Sequence, residues 1–396
     1  MTCTYDMLPR LLLVAALVPA CSEPSREEGG LDTSVNPGPA SSATESMDPT
    51  DSADTADGES SGDTTGADPT EAPGSGVDPD ADVGCDAVDF LFVIDNSGSM
   101  ADEQQQLVDS VPGFVSAIEQ RLPVGSGTYH IMVTDSDPWV YGGCEDACAQ
   151  ASSCEAQSAD GSCDCGYPCA LRELCSGIGD YVCGETQPME CEDVLGAGVT
   201  HPRGRDASNE TCDFASGRRF IASGEPDLSG SFECAARVGT NSSLGEKPME
   251  AMIQGLTGAG DVAACNEGFL RDNAVLVVVI ITDEDDNGPN ANDLQGDSAG
   301  SPHAWVDALV EAKNGNGDAI IAMALIGDGD VPEGICAPLD PNTFEGAEPA
   351  PRIREFTELW GEHGIVGSVC ADSYVAFFDS AVETIGSACD EFVPVG

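Results

Sequence analysis

The chain has 396 residues, of which 14 are Lys or Arg and 71 are Asp or Glu, so its formal net charge is −57. Such a charge repels nucleic-acid phosphates and anionic membrane surfaces, and no basic patch interrupts it. The 18 cysteines are too many for an ordinary cytosolic protein. The composition favours an exported, acidic protein that attracts divalent cations and binds no nucleic acid.

The N-terminus is typical of export. Residues 11–18 form an apolar run that is too short to span a bilayer as a helix and is typical of a signal-peptide core. The segment that follows, ending in Ala20-Cys21, resembles a bacterial lipobox, in which the cysteine is lipidated and becomes the mature N-terminus. We expect residues 1–20 to be a lipoprotein signal peptide. Cys21 would then carry a lipid that is the protein's only attachment to a bacterial membrane, at the outer membrane or cell surface. Ordinary cleavage near Ala20 is the alternative.

The next segment has the composition of a tether. Residues 22–84 contain 16 acidic residues, one Arg and no aromatic residue. Such a segment cannot bury enough apolar surface to offset the entropy of ordering it. We therefore interpret residues 21–84 as a lipid anchor followed by a disordered acidic linker.

From residue 85 to residue 396, apolar runs alternate with helical patterns. The predicted strands are residues 88–94, 129–134, 274–282, 319–326 and 367–370. The predicted helices are residues 102–122, 246–256, 303–313, 353–360 and 374–385. Strands separated by helices predict an α/β fold with a doubly wound, Rossmann-like, mainly parallel sheet flanked by helices.

One stretch, at about residues 136–234, breaks this alternation. It contains no long apolar run but 11 cysteines, so we expect a disulfide-rich loop insertion without a core of its own. Because 11 is odd, at least one of these cysteines must pair outside the stretch. We predict a disulfide between Cys234 and Cys265, which bracket one helix. The remaining cysteines could then pair among themselves: Cys85, Cys336, Cys370 and Cys389.

Oxygen-bearing side chains follow the predicted strands. Asp95, Ser97 and Ser99 form an Asp-x-Ser-x-Ser turn between the first strand and the first helix, where ligand sites form in open α/β sheets. Thr240 precedes a later helix, and Asp283 follows the most apolar strand. In an alternating sheet these loops share one edge, so three hydroxyls and two carboxylates should converge there. Such ligands suit magnesium first, with manganese or calcium as alternatives, but not zinc.

These five residues resemble the metal-ion-dependent adhesion site of a von Willebrand factor A-type domain, as found in secreted bacterial proteins. The resemblance covers residues 85–396 apart from the insertion, where the family usually has a hairpin and a helix. It implies that the two serines and Thr240 bind the metal directly, whereas Asp95 and Asp283 act mainly through bound water. It also implies an open metal position that takes an acidic group from a protein or cell-envelope partner.

The leading functional prediction is a non-enzymatic, metal-dependent binding or adhesion module, displayed on a surface or in the periplasm. A secreted hydrolase is one alternative, because residues 296–300 match Gly-x-Ser-x-Gly around Ser298. A nucleophile elbow needs a buried strand directly before the serine, and the residues there are polar. Another alternative is a structural envelope protein in which the metal only orders loops.

Overall fold

The computed structural model describes most of the chain after residue 84. The described residues are 85, 87–121, 128–137, 140–158, 162, 169, 172, 191–240, 246–258, 262–286, 298–340, 343 and 345–392. The predicted signal peptide, Cys21 and the acidic linker lie outside them and stay predictions. None of the helices in these ranges is long and apolar enough to cross a membrane.

Six strands of the described chain form one sheet. They are β1 (Ala87–Ile94), β2 (Thr128–Asp135), β3 (Ile221–Ala222), β4 (Ala274–Ile281), β5 (Ile320–Ile326) and β6 (Gly364–Ser368). Their order in the sheet is β3-β2-β1-β4-β5-β6. All neighbouring pairs are parallel except β2 and β3, which are antiparallel.

Strands β1 and β4 lie side by side at the centre of the sheet. Each is an eight-residue run in which every residue is buried. They pair in register from Ala87 with Ala274 to Ile94 with Ile281, so both end at the same level. The chain adds β2 on one side of β1 and β4 on the other, which makes the ends of β1 and β4 the topological switch point. Open α/β sheets bind ligands at this place.

Helices cover both faces of the sheet. They are α1 (Ala101–Arg121), α2 (Val140–Gln157), α3 (Leu228–Ala236), α4 (Pro248–Thr257), α5 (Val262–Cys265), α6 (Pro302–Ala312), α7 (Pro351–Glu358) and α8 (Val375–Glu391). One face packs against α1, α3 and α8, whose buried residues include Phe114, Phe232 and Phe378. The other packs against α4, α6 and α7. The predicted doubly wound, mainly parallel α/β fold is confirmed.

The disulfide-rich loop insertion also contains regular secondary structure. It includes the whole of α2, the edge strand β3 and most of α3. These elements were not predicted from the sequence. Elsewhere the predicted strands and helices are present with shifted ends: the last strand lies at Gly364–Ser368, and the last helix continues to Glu391.

The predicted disulfide between Cys234 and Cys265 is wrong. Cys234 pairs with Cys212, at a Cα–Cα distance of 5.7 Å, and Cys265 pairs with Cys191, at 5.8 Å. Cys234 and Cys265 lie at the two ends of one segment of the sequence, but a disulfide forms only between cysteines that are close in space. One insertion cysteine, Cys191, does pair outside the insertion, as the odd count required. The four remaining cysteines of the predicted domain pair among themselves as predicted. Cys85 pairs with Cys389, and Cys336 pairs with Cys370.

Candidate metal centre

Three loops meet where β1 and β4 end, a region we call the carboxyl edge. The backbone N–H of Asp95, directly after β1, donates to the carbonyl of Ile281 at 2.9 Å. The buried side chain of Gln104 joins the same turn to the loop before α4. Its Nε2 donates to the carbonyls of Asp95 at 3.1 Å and Gly239 at 2.9 Å. The sequence analysis missed Gln104, which holds two of the predicted loops together.

The Asp-x-Ser-x-Ser turn faces Asp283. The Ser97 backbone N–H donates to Asp95 Oδ1 at 2.7 Å, which closes the turn around its first residue. The Ser97 hydroxyl lies 3.3 Å from the Ser99 hydroxyl and donates to Asp283 Oδ1 at 3.4 Å. Four of the five predicted residues are therefore brought together across β1 and β4.

Two further hydroxyl groups contact the carboxylate of Asp95. Thr282 Oγ1 donates to Asp95 Oδ2 at 2.6 Å, and Ser136 Oγ contacts Asp95 Oδ1 at 3.4 Å. Ser136 also donates to Glu246 Oε2 at 2.5 Å. Both hydroxyl residues directly follow a strand, β4 and β2, and that position was the signal from which they could have been predicted. Because its oxygens are engaged by hydroxyls, Asp95 is positioned as a hydrogen-bonded support for the turn.

Thr240, the fifth predicted residue, is buried beside the turn and contacts the insertion. Its hydroxyl donates to Asp206 Oδ2 at 2.8 Å and accepts from Arg205 Nε at 2.9 Å. Arg205 Nη2 reaches the carbonyl of Gly98 at 3.4 Å, so the same arginine touches the Asp-x-Ser-x-Ser turn. Arg205 and Asp206 could not be placed here from the residue pattern, because their position depends on how the insertion folds back.

The two carboxyl groups of the site lack a compensating cation. Burial raises the pKa of Asp95, and burial together with the charge of Asp95 raises the pKa of Asp283 to about 7. Within the described ranges, no Arg, Lys or His forms an ion pair with either group. Asp283 Oδ2 is buried and finds no hydrogen-bond partner among the described residues. A buried, unpartnered carboxylate oxygen is costly unless a cation or a proton neutralises it.

The chemistry of this donor set fits a hard divalent cation. The converging atoms are all oxygens, and the Asp283 carboxylate, whose Oδ2 has no partner among the described residues, lies next to the hydroxyl of Ser97. In the described part of the chain, no group of three or more His, Cys, Asp and Glu side chains is placed to hold a metal. Three of the five groups in this set are hydroxyls, so the candidate site does not depend on such a group of His, Cys, Asp and Glu side chains.

The acids that follow Asp283 have structural roles. Asp285 accepts from the backbone N–H groups of Arg352 and Ile353, at 3.2 Å each, and so caps the start of α7. Asp286 accepts from the N–H of Met249 at 3.2 Å, in the first turn of α4. Both aspartates satisfy N–H groups that a helix leaves unpaired at its start.

Ser298, the candidate nucleophile of the hydrolase alternative, is buried and also forms a hydrogen bond with a backbone N–H near the start of a helix. Its hydroxyl accepts from the N–H of Glu250 at 2.8 Å, and its own N–H donates to Asp286 at 2.8 Å. Among the described hydrogen bonds, none joins Ser298 to a histidine. The described contacts of Ser298 are those of a residue that caps α4.

Comparisons with known proteins add little to this geometry. No protein-family model matches the chain, and no curated protein matches it in sequence. Among solved structures, it is similar to the pilus adhesin SpaC from Lactobacillus rhamnosus GG in its open conformation, at 12% identity and a TM-score of 0.33. A second structure of that adhesin matches at 11% identity and a TM-score of 0.33. Both alignments cover 76% of this chain but only 30% and 31% of the adhesin. TM-scores this low carry no conclusion about fold or function.

Proposed function

We propose that the protein is a non-enzymatic, metal-dependent binding module of the von Willebrand factor A type. Its ligand is an acidic group of a protein or cell-envelope partner, and its role is adhesion or capture outside the cytoplasm. One observation carries the proposal: Asp95, Ser97, Ser99 and Asp283 converge at the switch point of the sheet, where Asp283 Oδ2 is buried and unpartnered by described residues.

In this proposal each residue has a distinct part. Ser97, Ser99 and Thr240 offer neutral oxygens to the cation, while Asp95 and Asp283 supply negative charge next to it. A bound magnesium, manganese or calcium ion would supply an electrophilic position for a partner's carboxylate. Gln104 and Thr282 position these groups, because they connect the loops through buried hydrogen bonds.

The cellular location belongs to the same proposal. The four disulfides whose pairing is described imply folding in an oxidising compartment. Together with the lipobox-like segment at Cys21 and the acidic linker, this supports an exported domain. We propose that the domain is held to a bacterial outer membrane or cell surface by a lipid and a flexible tether.

Calorimetric titration with Mg²⁺, Mn²⁺ and Ca²⁺ tests the metal site. The variants are Asp95→Ala, which removes a buried carboxylate, and Ser99→Ala, a small change at a half-buried residue that the fold should tolerate. Ser116→Ala is the control, because its hydroxyl lies on the outer face of α1. We expect wild type and the control to bind at least one ion and the two site variants to bind it much more weakly. Equal binding by all four proteins, or none by wild type, would overturn the proposal.

Two further measurements separate the alternatives. A hydrolase would lose a measurable esterase activity in Ser298→Ala, whereas a binding module shows no such activity in either protein. A structural envelope protein would lose folded structure when EDTA removes the metal, without releasing any partner. For the proposed function we expect an envelope partner that is retained with Mg²⁺ and released by EDTA, with the domain still folded.

A further inference from the structure

Strand β6 lies at one end of the sheet, and within the described chain it pairs only with β5. The pairing runs in register from Gly364 beside Ala322 to Ser368 beside Ile326, and no described strand follows β6 in the sheet order. Every residue of β5 is buried, whereas none of the residues of β6 is. The sheet therefore ends in an exposed strand.

The hydrogen bond directly after β6 shows which of its backbone groups point outward. The N–H of Val369 donates to the carbonyl of Ile326 in β5 at 3.0 Å. In a parallel pair, successive residues of a strand direct their N–H and C=O groups to opposite sides. Counting back from Val369, the backbone groups of Gly364, Val366 and Ser368 point away from β5.

The chain itself engages outward groups at the two ends of β6 but not at its centre. The N–H of Gly364 donates to the carbonyl of Gly361, and the carbonyl of Ser368 accepts from the N–H of Ala371 at 3.3 Å. Among the described residues, neither backbone group of Val366 has a partner, and this residue is 38% exposed. With the C=O of Gly364 and the N–H of Ser368, these groups form a row to which another strand can pair.

Strand β6 lacks the features that usually protect an edge strand. Natural sheets keep edge strands very short or place charged residues or proline in them. β6 has five residues, none of which is charged or a proline. At the opposite end of the sheet, β3 has only two residues, and Ile221 is buried. One end of the sheet is thus protected by a short strand, whereas the other is open.

The segments on both sides of β6 are fixed to the domain. Cys370, two residues after β6, forms a disulfide with Cys336. Directly before β6, Nδ1 of His363 lies 3.1 Å from the carbonyl of Ile320. A strand that is already held in place loses little conformational entropy when a partner binds to it.

The surroundings of β6 are acidic. Residues 355–396 contain eight Asp or Glu residues and no Lys or Arg. Glu362 precedes β6 and Asp372 follows it, and both are exposed. A second copy of the chain would bring the same negative charge to this place, so pairing between two copies is disfavoured. Complementary charge requires a basic partner.

We propose that the outer edge of β6 binds an extended, basic segment of a partner protein by strand addition. The backbone of this segment pairs with Gly364, Val366 and Ser368, and its Lys or Arg side chains lie near the acids that flank β6. In this mode of recognition, main-chain hydrogen bonds supply the affinity and side chains the specificity. The surface goes beyond the proposed function, because β6 lies two strands away from β4 and binding here needs no metal.

The test uses the full chain and two synthetic peptides of about seven residues, enough to span β6. The lysine peptide has lysine at both ends and alternating valine and threonine between them, and in the glutamate peptide each lysine is replaced. We expect only the lysine peptide to bind in calorimetry. It should also slow hydrogen exchange at the N–H groups of Val366 and Ser368, measured by NMR. Methyl groups on the central amide nitrogens of the lysine peptide should abolish its binding.

Val366→Pro and Val375→Pro are a matched pair of variants. Proline is tolerated in an edge strand where the N–H faces outward, so Val366→Pro removes an outward donor and keeps the pairing with β5. Val375 is 49% exposed and is the first residue of α8, where proline is also tolerated. We expect Val366→Pro to bind the lysine peptide about 10-fold more weakly than Val375→Pro, as the loss of one or two hydrogen bonds implies.

Equal binding by the two variants, or unchanged exchange at Val366 in the presence of the peptide, overturns strand addition. If Val366→Pro does not fold, the methylated peptide decides on wild type, since binding as tight as that of the lysine peptide also overturns strand addition. Equal binding of the glutamate peptide, or no binding of the lysine peptide, overturns the basic partner. So does a wild-type dimer that Val366→Pro abolishes, because a second copy would then occupy the edge.

Discussion

Carboxylates are buried near both ends of the central parallel strands, but the groups that contact them differ. At the opposite edge, which we call the amino edge, Asp89 of β1 is fully buried against Arg271. Arg271 donates to it from its backbone N–H at 2.8 Å, from Nε at 2.7 Å and from Nη2 at 2.5 Å. At the carboxyl edge, Asp95 and Asp283 face hydroxyls and each other, and no described cation pairs with them.

The two environments also differ in how neighbouring charges act on the carboxyl pKa. Burial raises the pKa of Asp89, but the guanidinium of Arg271 opposes the rise. For Asp283, the neighbouring charge of Asp95 adds to the effect of burial. A buried charge is tolerated only when it is paired. The amino edge contains its cation, whereas at the carboxyl edge the proposed function requires one that comes from solution.

The largest expected effect is at the amino edge. Arg271→Leu leaves Asp89 buried without the guanidinium that pairs with it and should lower the free energy of unfolding by about 3–5 kcal/mol. The matched control is Arg218→Leu. Arg218 pairs with Glu267 at side-chain exposures of 50% and 74%, and its loss should cost less than about 1 kcal/mol. Urea unfolding followed by circular dichroism measures both. Equal losses in the two variants would show that Asp89 does not depend on Arg271.

The second prediction exchanges each buried carboxylate for an amide. Asp283→Asn removes a repelling charge, so the metal-free variant should be at least as stable as wild type, whereas Asp89→Asn should be less stable. At a Mg²⁺ concentration of 100 times the dissociation constant, wild type should gain about 2.7 kcal/mol and Asp283→Asn nothing. Asp89→Asn should keep the full gain. Thermal unfolding with and without Mg²⁺ checks this, and an equal gain in both variants would contradict it.

The central strands could be predicted from the sequence, whereas helix α2 could not. The fold follows from apolar runs such as Ala274–Ile281, whose residues are all buried, so the central strands and the carboxyl edge were predictable. Helix α2 was not, because its periodic residues are small. Ala147, Ala151 and Cys154 are buried at positions i, i+4 and i+7, a helical spacing that a search for large apolar residues overlooks.

For the site, the local part was predictable and the long-range part was not. Asp95, Ser97 and Ser99 lie in one turn, and Asp283 directly follows a strand, so strand order alone brings them together. Asp206 reaches Thr240 only because the insertion returns to the sheet, a contact between residues 34 positions apart. Nothing in the residue pattern of the insertion encodes that return in a form that can be read without the structure.

The third prediction concerns pH. Asp283 has a pKa of about 7 in the folded protein, against an ordinary value of 3.8. The folded state therefore holds this proton more tightly than the unfolded state. The resulting stabilisation is present at low pH and is lost as the pH rises from about 4 to about 7. We expect the stability of metal-free wild type, relative to Asp283→Asn, to fall across that range and to stay constant above it.

Metal binding should change with pH in the opposite direction, because a cation needs the ionised carboxylate. At pH 5.5 the proton on Asp283 should weaken Mg²⁺ binding roughly 30-fold, or about 2 kcal/mol, relative to pH 8. Calorimetry at the two values measures this. An affinity that does not change with pH would mean that Asp283 is ionised throughout and is no different from an exposed aspartate.

The smallest expected effect comes from removing one hydroxyl at the carboxyl edge. Thr282→Val keeps the shape of the side chain and removes the hydroxyl that donates to Asp95 Oδ2 at 2.6 Å and accepts from the backbone N–H of Glu284 at 3.0 Å. The control, Thr357→Val, removes an equally buried hydroxyl that donates to the carbonyl of Ile353 in α7, at 2.9 Å. Each variant should lower the free energy of unfolding by about 1–2 kcal/mol.

Only Thr282→Val should also lower the affinity for Mg²⁺, by about 10-fold, because a metal-site carboxylate depends on the groups that orient it. At the amino edge, the loss of one hydrogen bond to Asp89 would matter little, because the guanidinium of Arg271 has five N–H donors. At the carboxyl edge, Asp95 Oδ2 depends on one hydroxyl among the described contacts. If both variants lose stability but neither loses Mg²⁺ affinity, then Asp95 does not need Thr282 for its orientation, and Thr282 supports the fold and not the metal centre.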